Sequence, residues 1–211
     1  SVRLTAAGKR YLEDVSAALS TLDNAGREMT KLRRGTAGEL RISALPFFTS
    51  TVLIPALVDF NRNNPNLTVR IEATHQYADF NNSNVDVAIR YGREQSSGLK
   101  FEPLVKVSGL AVCSPALKAE LKYPRDLARQ VLLHLTSQPR AWPIWLSEAE
   151  VPDLTPRGHI WLDSVPAILE AAERGLGVAL GMTPLIEARP GFGSTLVAPF
   201  NFQTRYSETL Y

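Results

Sequence analysis

Residues 39–72, ELRISALPFFTSTVLIPALVDFNRNNPNLTVRIE, decide the fold. The stretch opens with a short β run, Glu39-Leu40-Arg41-Ile42-Ser43, and passes a loop marked by Pro46. It then enters a helix that Thr49 or Ser50 can cap, with Val52, Leu53, Leu57, Val58 and Phe60 largely inward. Asn61 to Pro65 stop that helix with turn residues, and Leu67-Thr68-Val69-Arg70-Ile71-Glu72 alternates with period two as the next strand. A third strand, Val85-Asp86-Val87-Ala88-Ile89-Arg90, ends at Tyr91-Gly92-Arg93. Strands separated by helix predict a mostly parallel sheet, because a right-handed crossover needs a helix's worth of chain.

Downstream the alternation resumes. Strands are expected near Leu110-Ala111-Val112-Cys113, over Val131 to Leu135 and over His159-Ile160-Trp161-Leu162. Asp163 or Ser164 caps a helix from Val165 to Arg174 that Gly175 ends, and Gly177 to Met182 is strand again. Thr183-Pro184 reads as a cap followed by proline at a first helical position, with Pro190-Gly191-Phe192-Gly193 ending that helix. Ser207 to Tyr211 reads as the start of a strand cut short. Two sheets sharing a pair of crossing strands make a cleft between them.

Upstream, the turn Gly35-Thr36-Ala37-Gly38 separates this body from a different pattern. Leu12, Val15, Leu19, Leu22 and Met29 repeat in alternating three- and four-residue steps, broken at Gly26, which is a heptad seam. Thr5 can cap the start, and Gly35 can end it after Lys31, Arg33 and Arg34, so Thr5 to Arg34 is expected as one helix, about 45 Å long at 1.5 Å per residue. So narrow an apolar stripe needs a partner, either the helix's own domain or a second copy in a coiled coil. Residues 1 to 41 hold eight basic groups against five acids, a balance of +3 that leaves −1 for the remainder. A basic end of this size points only weakly to a polyanion.

Composition bounds the rest. The 211 residues carry 23 Lys+Arg against 21 Asp+Glu for a net +2, with 45% hydrophobic and 21% charged residues, which excludes disorder and collagen-like repetition. No apolar stretch approaches the roughly 20 residues of a membrane span. Cys113, the one cysteine, cannot pair within its own chain and reads as a buried thiol, so the expected compartment is the cytoplasm. The chain opens with Ser1 rather than Met, the expected mark of a piece of a longer product.

Catalytic constellations fail on spacing. His75, His134 and His159 are isolated in sequence, so no metal site is expected. No nucleophile elbow, Walker loop or helical His pair occurs. Gly175-Leu176-Gly177-Val178-Ala179-Leu180-Gly181 has dinucleotide-like glycines, but they follow a helix and enter a strand, the reverse of that fingerprint. They read as a helix cap and a close-packing site. Asp163 and Glu208 read as a cap and a strand-end charge rather than as an acid and base, so no enzyme and no cofactor are expected. What remains is a hydrogen-bonding cleft in which Thr49, Ser50 and Ser164 stand at helix N-termini, where free N–H groups favour small anionic or polar ligands.

These features together resemble the LysR-type transcriptional regulators, most nearly the glycine-cleavage-activator-like subgroup. Ser1-Val2-Arg3-Leu4-Thr5-Ala6-Ala7-Gly8 resembles the end of that family's DNA-binding wing and the start of its linker helix, and Gly38-Glu39-Leu40-Arg41-Ile42-Ser43 its first effector-domain strand. Val85-Asp86-Val87-Ala88-Ile89-Arg90-Tyr91-Gly92 resembles the third-strand signature, Val112-Cys113-Ser114-Pro115 the crossing into the second lobe, and the run from Gly175 to Gly181 the late strand.

The resemblance implies an α/β, two-lobed, type-2 periplasmic-binding-protein-like effector domain preceded by a long linker helix. Its segments are 1–4 for the wing's end, 5–35 for the dimerisation helix, 36–112 with 208–211 for lobe I and 113–207 for lobe II. It also implies a small-molecule effector bound between lobes, a homodimer or homotetramer, and promoter DNA gripped through a winged helix-turn-helix that would precede Ser1. The effector loop matches Pro46, Phe47, Phe48, Thr49 and Ser50, the facing groups Tyr91, Thr136, Ser164, Met182 and Thr209, the dimer contacts Leu12, Val15, Leu19, Leu22 and Met29, and the DNA-proximal end Arg3. Phe47 and Phe48 depart from a generic polar loop, which suits either an apolar-bearing effector or a self-filled cleft. The family's final strand, helix and turn would follow Tyr211. The competing class is a solute-binding protein of a transporter with the same lobed fold, which would want an export signal and no coiled coil.

Overall fold

The period-two run at residue 39 forms β1 (Glu39–Ala44), and the run after Pro65 forms β2 (Thr68–Ala73), paired in parallel from Glu39 with Thr68 to Ala44 with Ala73. The structure, a computed structural model, describes residues 38–80, 84–92 and 99–211. The expected linker helix with Leu12, Val15, Leu19, Leu22 and Met29, and Arg3 before it, lies outside the described residues. Contacts divide the chain into two units, one running through Thr49 and resuming over Leu53–Arg90, the other made of Ser50–Val52 and Tyr91–Tyr211.

In the first unit, β3 (Val87–Ile89) pairs in parallel with the other edge of β1, giving the order β2-β1-β3. The central strand is the buried one: Ile42, Ser43 and Ala44 are all covered. The helix between β1 and β2 begins earlier than the sequence suggests. Pro46 occupies the first turn of α1 (Pro46–Phe48), capped by the extended backbone of Leu45, because proline needs no hydrogen bond there. A π turn (Thr49–Leu53), closed by the Ile54 N–H donating to the Thr49 carbonyl, leads into α2 (Ile54–Asn63). Thr49 and Ser50 therefore sit inside a helical run and do not cap it. Nor does α2 bury its apolar side: none of its residues is buried, and Ile54 and Val58 are each 53% exposed.

In the second unit, β4 (Val105–Val112) is antiparallel to both β7 (Ala179–Thr183) and β8 (Gln203–Leu210), in the order β7-β4-β8. β5 (Val131–Leu135) and β6 (Gly158–Leu162) pair in parallel, and a parallel bridge from Leu132 to Val178 joins β5 to the chain entering β7. The expectation of mostly parallel strands thus holds for the first unit only. Because β4 is hydrogen-bonded along both edges inside this sheet, the chain divides at Arg90 and Tyr91, whereas the sequence reading put the change of lobe at 112 and 113.

Short helices fill the connections: α3 (Pro115–Lys118), a 3-10 turn over Pro124–Arg129, α4 (Ala141–Glu148) and α5 (Val165–Glu173). The helix expected after Thr183-Pro184 is a single 3-10 turn (Leu185–Ala188), tied by the Thr183 hydroxyl donating to the Glu187 carboxylate, and the chain is extended again by Arg189. Trp142, Trp145, Leu127, Leu132, Val178 and Cys113 make the core, where burial raises the Cys113 thiol to about 11 and leaves it an inert packing group. Among the described residues no helix is long and apolar enough to cross a membrane.

The glycine run behaves as its order predicts. Gly175, at φ +78°, follows α5, with Leu176 N–H on the Ala171 carbonyl and Gly175 N–H on that of Ala172, a Schellman cap. At Gly177 a Cβ would stand 2.4 Å from the Val131 carbonyl oxygen, which also accepts the Val178 N–H at 2.9 Å. No side chain fits there without parting β5 from the chain entering β7.

Candidate functional site

A β-bulge organises the second unit's cavity. The register of β4 against β8 shifts between Ser108 and Leu110, and such irregularities re-aim side chains beside binding sites. Gly109 at the bulge donates its N–H to the Thr204 hydroxyl at 2.8 Å, and that hydroxyl donates to the Tyr206 carbonyl at 2.8 Å. Glu148, the last residue of α4, accepts the backbone N–H groups of Arg205 and Tyr206 and so fastens β8 to α4. These tethers leave a cavity of about 410 Å³, within the usual range for small-molecule sites. Its polar lining is Ser108, Ser137, Gln138, Arg140, Thr204, Tyr206 and Glu208, and its apolar lining includes Val107, Ile144, Leu180 and Met182.

Of the residues matched to the effector site in the sequence, Met182 alone lines this cavity, together with Glu208, which the sequence offered as a strand-end charge. Tyr91 lies beside it, its hydroxyl donating to the Met182 sulfur at 2.6 Å, and burial, with the Glu208 carboxylate second, pushes the phenol far above its ordinary value. Thr136 and Ser164 follow β5 and β6, so both stand at strand C-termini, where open α/β sheets gather ligands. The Thr136 hydroxyl donates to the Leu162 carbonyl at 3.1 Å, and Ser164 is the N-cap residue of α5 without a side-chain capping bond. Thr209 stands on β8 next to Glu208.

The expected effector loop, Pro46 to Ser50, is largely interior. Phe47, Phe48 and Thr49 are buried, Pro46 is half-buried and Ser50 is exposed. Burial of both phenylalanines spends them on packing. The Thr49 hydroxyl is buried and has no hydrogen-bond partner among the described residues.

The polar lining went unpredicted because its signal is positional. Thr204, Tyr206 and Glu208 alternate on one face of a strand that the sequence reading began only at Ser207, and Ser137 to Arg140 lead into a helix it did not foresee. His134 and His159 are likewise joined by topology. Parallel pairing of β5 with β6 brings His134 Nε2 to 2.8 Å from His159 Nδ1, and His134 stacks on Trp161 at 4.3 Å between ring centroids. No group of three or more metal-type ligands forms among the described residues.

Burial, and then the neighbouring His159, lowers the His134 pKa below its ordinary 6.5. The unfolded chain therefore takes up this proton first, so the group's contribution to stability is intact above about pH 6.5 and is lost as pH falls through that value. Urea unfolding midpoints are expected to drop from about pH 7.5 to about pH 5.5, and His134→Gln to flatten that slope; an unchanged slope refutes the assignment.

Residues 33–209 match the family model described as the LysR substrate binding domain. The chain belongs to this LysR family. Its similarity to the glycine cleavage system transcriptional activator of Escherichia coli (strain K12) is 37% identity over 205 residues, covering 95% of this chain and 66% of that protein. The HTH-type transcriptional activator AmpR of Pseudomonas aeruginosa is 31% identical over 162 residues, covering 76% of this chain and 54% of that one. Among solved structures, the effector domain of the transcriptional regulator AmpR of Pseudomonas aeruginosa matches with a TM-score of 0.67 at 28% identity, covering 82% of this chain and 83% of that chain. The two-lobed, periplasmic-binding-protein-like α/β class expected of a LysR effector domain is therefore the class observed. The chain spans just under two thirds of the length of the glycine cleavage activator.

Proposed function

We propose that this LysR-type domain is the effector-sensing part of a DNA-binding transcriptional regulator that works in the cytoplasm as a homodimer or homotetramer. The observation that carries the reading is 37% identity along 95% of the chain to a protein named as a transcriptional activator. In this reading residues 1–4 end the DNA-binding wing and 5–35 form the linker helix, with Leu12, Val15, Leu19, Leu22 and Met29 facing a second copy.

The effector-contacting groups of the second unit are Tyr91, Thr136, Ser164, Met182 and Thr209, of which Met182 lines the cavity built around the Gly109 bulge. The groups of the effector loop are Pro46, Thr49 and Ser50, with Phe47 and Phe48 supporting them from the interior. An effector changes DNA occupancy only by as much as its affinity differs between the protein's two arrangements. The test uses the longer protein that carries an upstream DNA-binding segment, footprinted on its own promoter with and without cell metabolite fractions. Protection that changes with a fraction, and no longer changes in Ser164→Trp while basal protection persists, supports the reading. Absence of any sequence-specific protection overturns it.

A further inference from the structure

The cavity of the second unit is lined by a cation and an anion that do not neutralise each other. Arg140 is exposed at the start of α4, and among the described residues its guanidinium makes no hydrogen bond or ion pair, leaving a planar fork of five donors unspent. Glu208 on β8 accepts the Tyr206 hydroxyl at 3.2 Å, and no cation within the described residues pairs with it. Both charges act on the same phenol: Glu208 raises the Tyr206 pKa and Arg140 opposes that rise. Arg140 and Glu208 thus flank Tyr206, too far apart for an ion pair with each other. The hydroxyls of Ser108 and Ser137 and the amide of Gln138 are also uncommitted among the described residues, whereas the Thr204 and Glu148 groups are spent on the fold.

The geometry points to a small zwitterion with an apolar side chain, the α-amino-acid class, as the occupant of this cavity, its carboxylate on Arg140 and its ammonium on Glu208. This deepens the effector reading above and rests on it for the ligand's regulatory meaning, though not for binding itself. A carboxylate matches the guanidinium fork in two parallel N–H···O bonds, and an ammonium supplies the donors that Glu208 and the serine hydroxyls accept. Val107, Ile144, Leu180 and Met182 supply the apolar wall, and about 410 Å³ admits a side chain of several carbons. Discrimination follows from the same charges. A ligand with only one of the two groups leaves a protein charge unpaired inside a partly desolvated site, and sites built to bond a polar group reject analogues that lack it.

The experiment is calorimetric titration of the full chain with L-alanine, L-leucine and L-phenylalanine at millimolar concentrations, followed by the deaminated and decarboxylated counterparts of the best binder. At least one amino acid is expected to bind, and each counterpart to bind about tenfold or more weakly. Arg140→Gln should abolish the preference over the amine, and Glu208→Gln the preference over the acid, with unfolding midpoints unchanged. Binding by none of the three, equal binding of the counterparts, or preferences untouched in both variants overturns the assignment. Failure of the regulator reading looks different: an amino acid that binds with both preferences yet leaves promoter protection of the longer protein unchanged removes the regulation and keeps the site.

Discussion

Trp145→Ala is expected to cost about 3–5 kcal/mol of the second unit's stability, enough to leave most small domains marginal. Trp145 is wholly buried, edge-on to Trp142 at 5.6 Å and to Phe202 at 5.2 Å, with Phe200 at 5.8 Å. Its ring also lies against Gly109, so the cavity left by truncation opens beneath the bulge that shapes the candidate site. A paired control isolates polar from apolar terms. The Trp145 indole N–H is buried with no partner among the described residues, whereas the Trp142 N–H donates to the Leu133 carbonyl at 2.8 Å. Trp145→Phe and Trp142→Phe remove the same ring volume, but only the second breaks a hydrogen bond. Trp142→Phe is therefore expected to cost about 1 kcal/mol more in urea unfolding. Equal losses would show that neither N–H contributes, and a loss under about 1 kcal/mol for Trp145→Ala would show that the aromatic cluster is not the core of this unit.

Most strands were legible because their alternation is local. Val131 to Leu135 was read with its observed bounds, and the residues at 39 and 67 were placed within one position. The order of glycines from 175 to 181 excluded a nucleotide loop without any tertiary knowledge, since a cap after a helix and a close approach before a strand are both backbone demands. The errors share a different cause. Pro46 reads in the sequence as a loop marker, although proline at a first helical turn starts a helix as readily as it breaks one. α4 was missed because Ala141-Trp142-Pro143-Ile144-Trp145-Leu146 has proline in its first turn and large apolar residues around most of its circumference, so it shows no helical stripe. The helix of residues 54–63 was read as inward from its apolar residues, and a stripe reports only that a face is apolar, not what covers it.

Less of the site than of the fold was open to this kind of reading. Ser164 was placed correctly at a helix start, because Ser before Val165-Pro166 is a short-range signal. The Tyr91 contact with Met182, the meeting of His134 with His159, and the joint lining of one cavity by Arg140 and Glu208 join residues 25 to 91 positions apart. Such pairings depend on which strand lies beside which, and spacing in sequence carries none of that. Glu208 shows the gap most plainly: the sequence offers it only as a strand-end charge or a counterpart to Asp163, yet its neighbours are Tyr206 and Tyr91.

Replacing Arg90 is expected to unlock the first unit. This side chain is 7% exposed, and among the described residues its guanidinium donates to no carboxylate. Its Nε and Nη2 donate to the Gln76 carbonyl at 3.1 and 2.5 Å, Nη1 to the carbonyls of Ser43 at 3.0 Å and Ile89 at 2.8 Å, and Nη2 also to the Ser43 hydroxyl at 2.7 Å. One planar fork thereby joins the end of β1, the end of β3 and the segment after β2, three pieces of chain that pair otherwise only through β1. Burial lowers the Arg90 pKa, with Tyr77 and Glu72 opposing, but a guanidinium stays charged, and the carbonyl dipoles take the place of a counter-ion. Arg90→Met keeps the apolar stem and removes the guanidinium from the buried Ser43 carbonyl and hydroxyl and from the carbonyl of exposed Gln76, at a cost of about 1–3 kcal/mol. Arg90→Lys offers a compact charge that cannot span both carbonyls, so it should recover less than half of the loss. Hydrogen exchange locates the effect: amides of β1, β2 and β3 should lose protection together in both variants while those of β4 to β8 keep theirs. Retained protection in β1 with Arg90→Met would mean that the strand ladder alone holds this unit, and that the buried cation is dispensable to it.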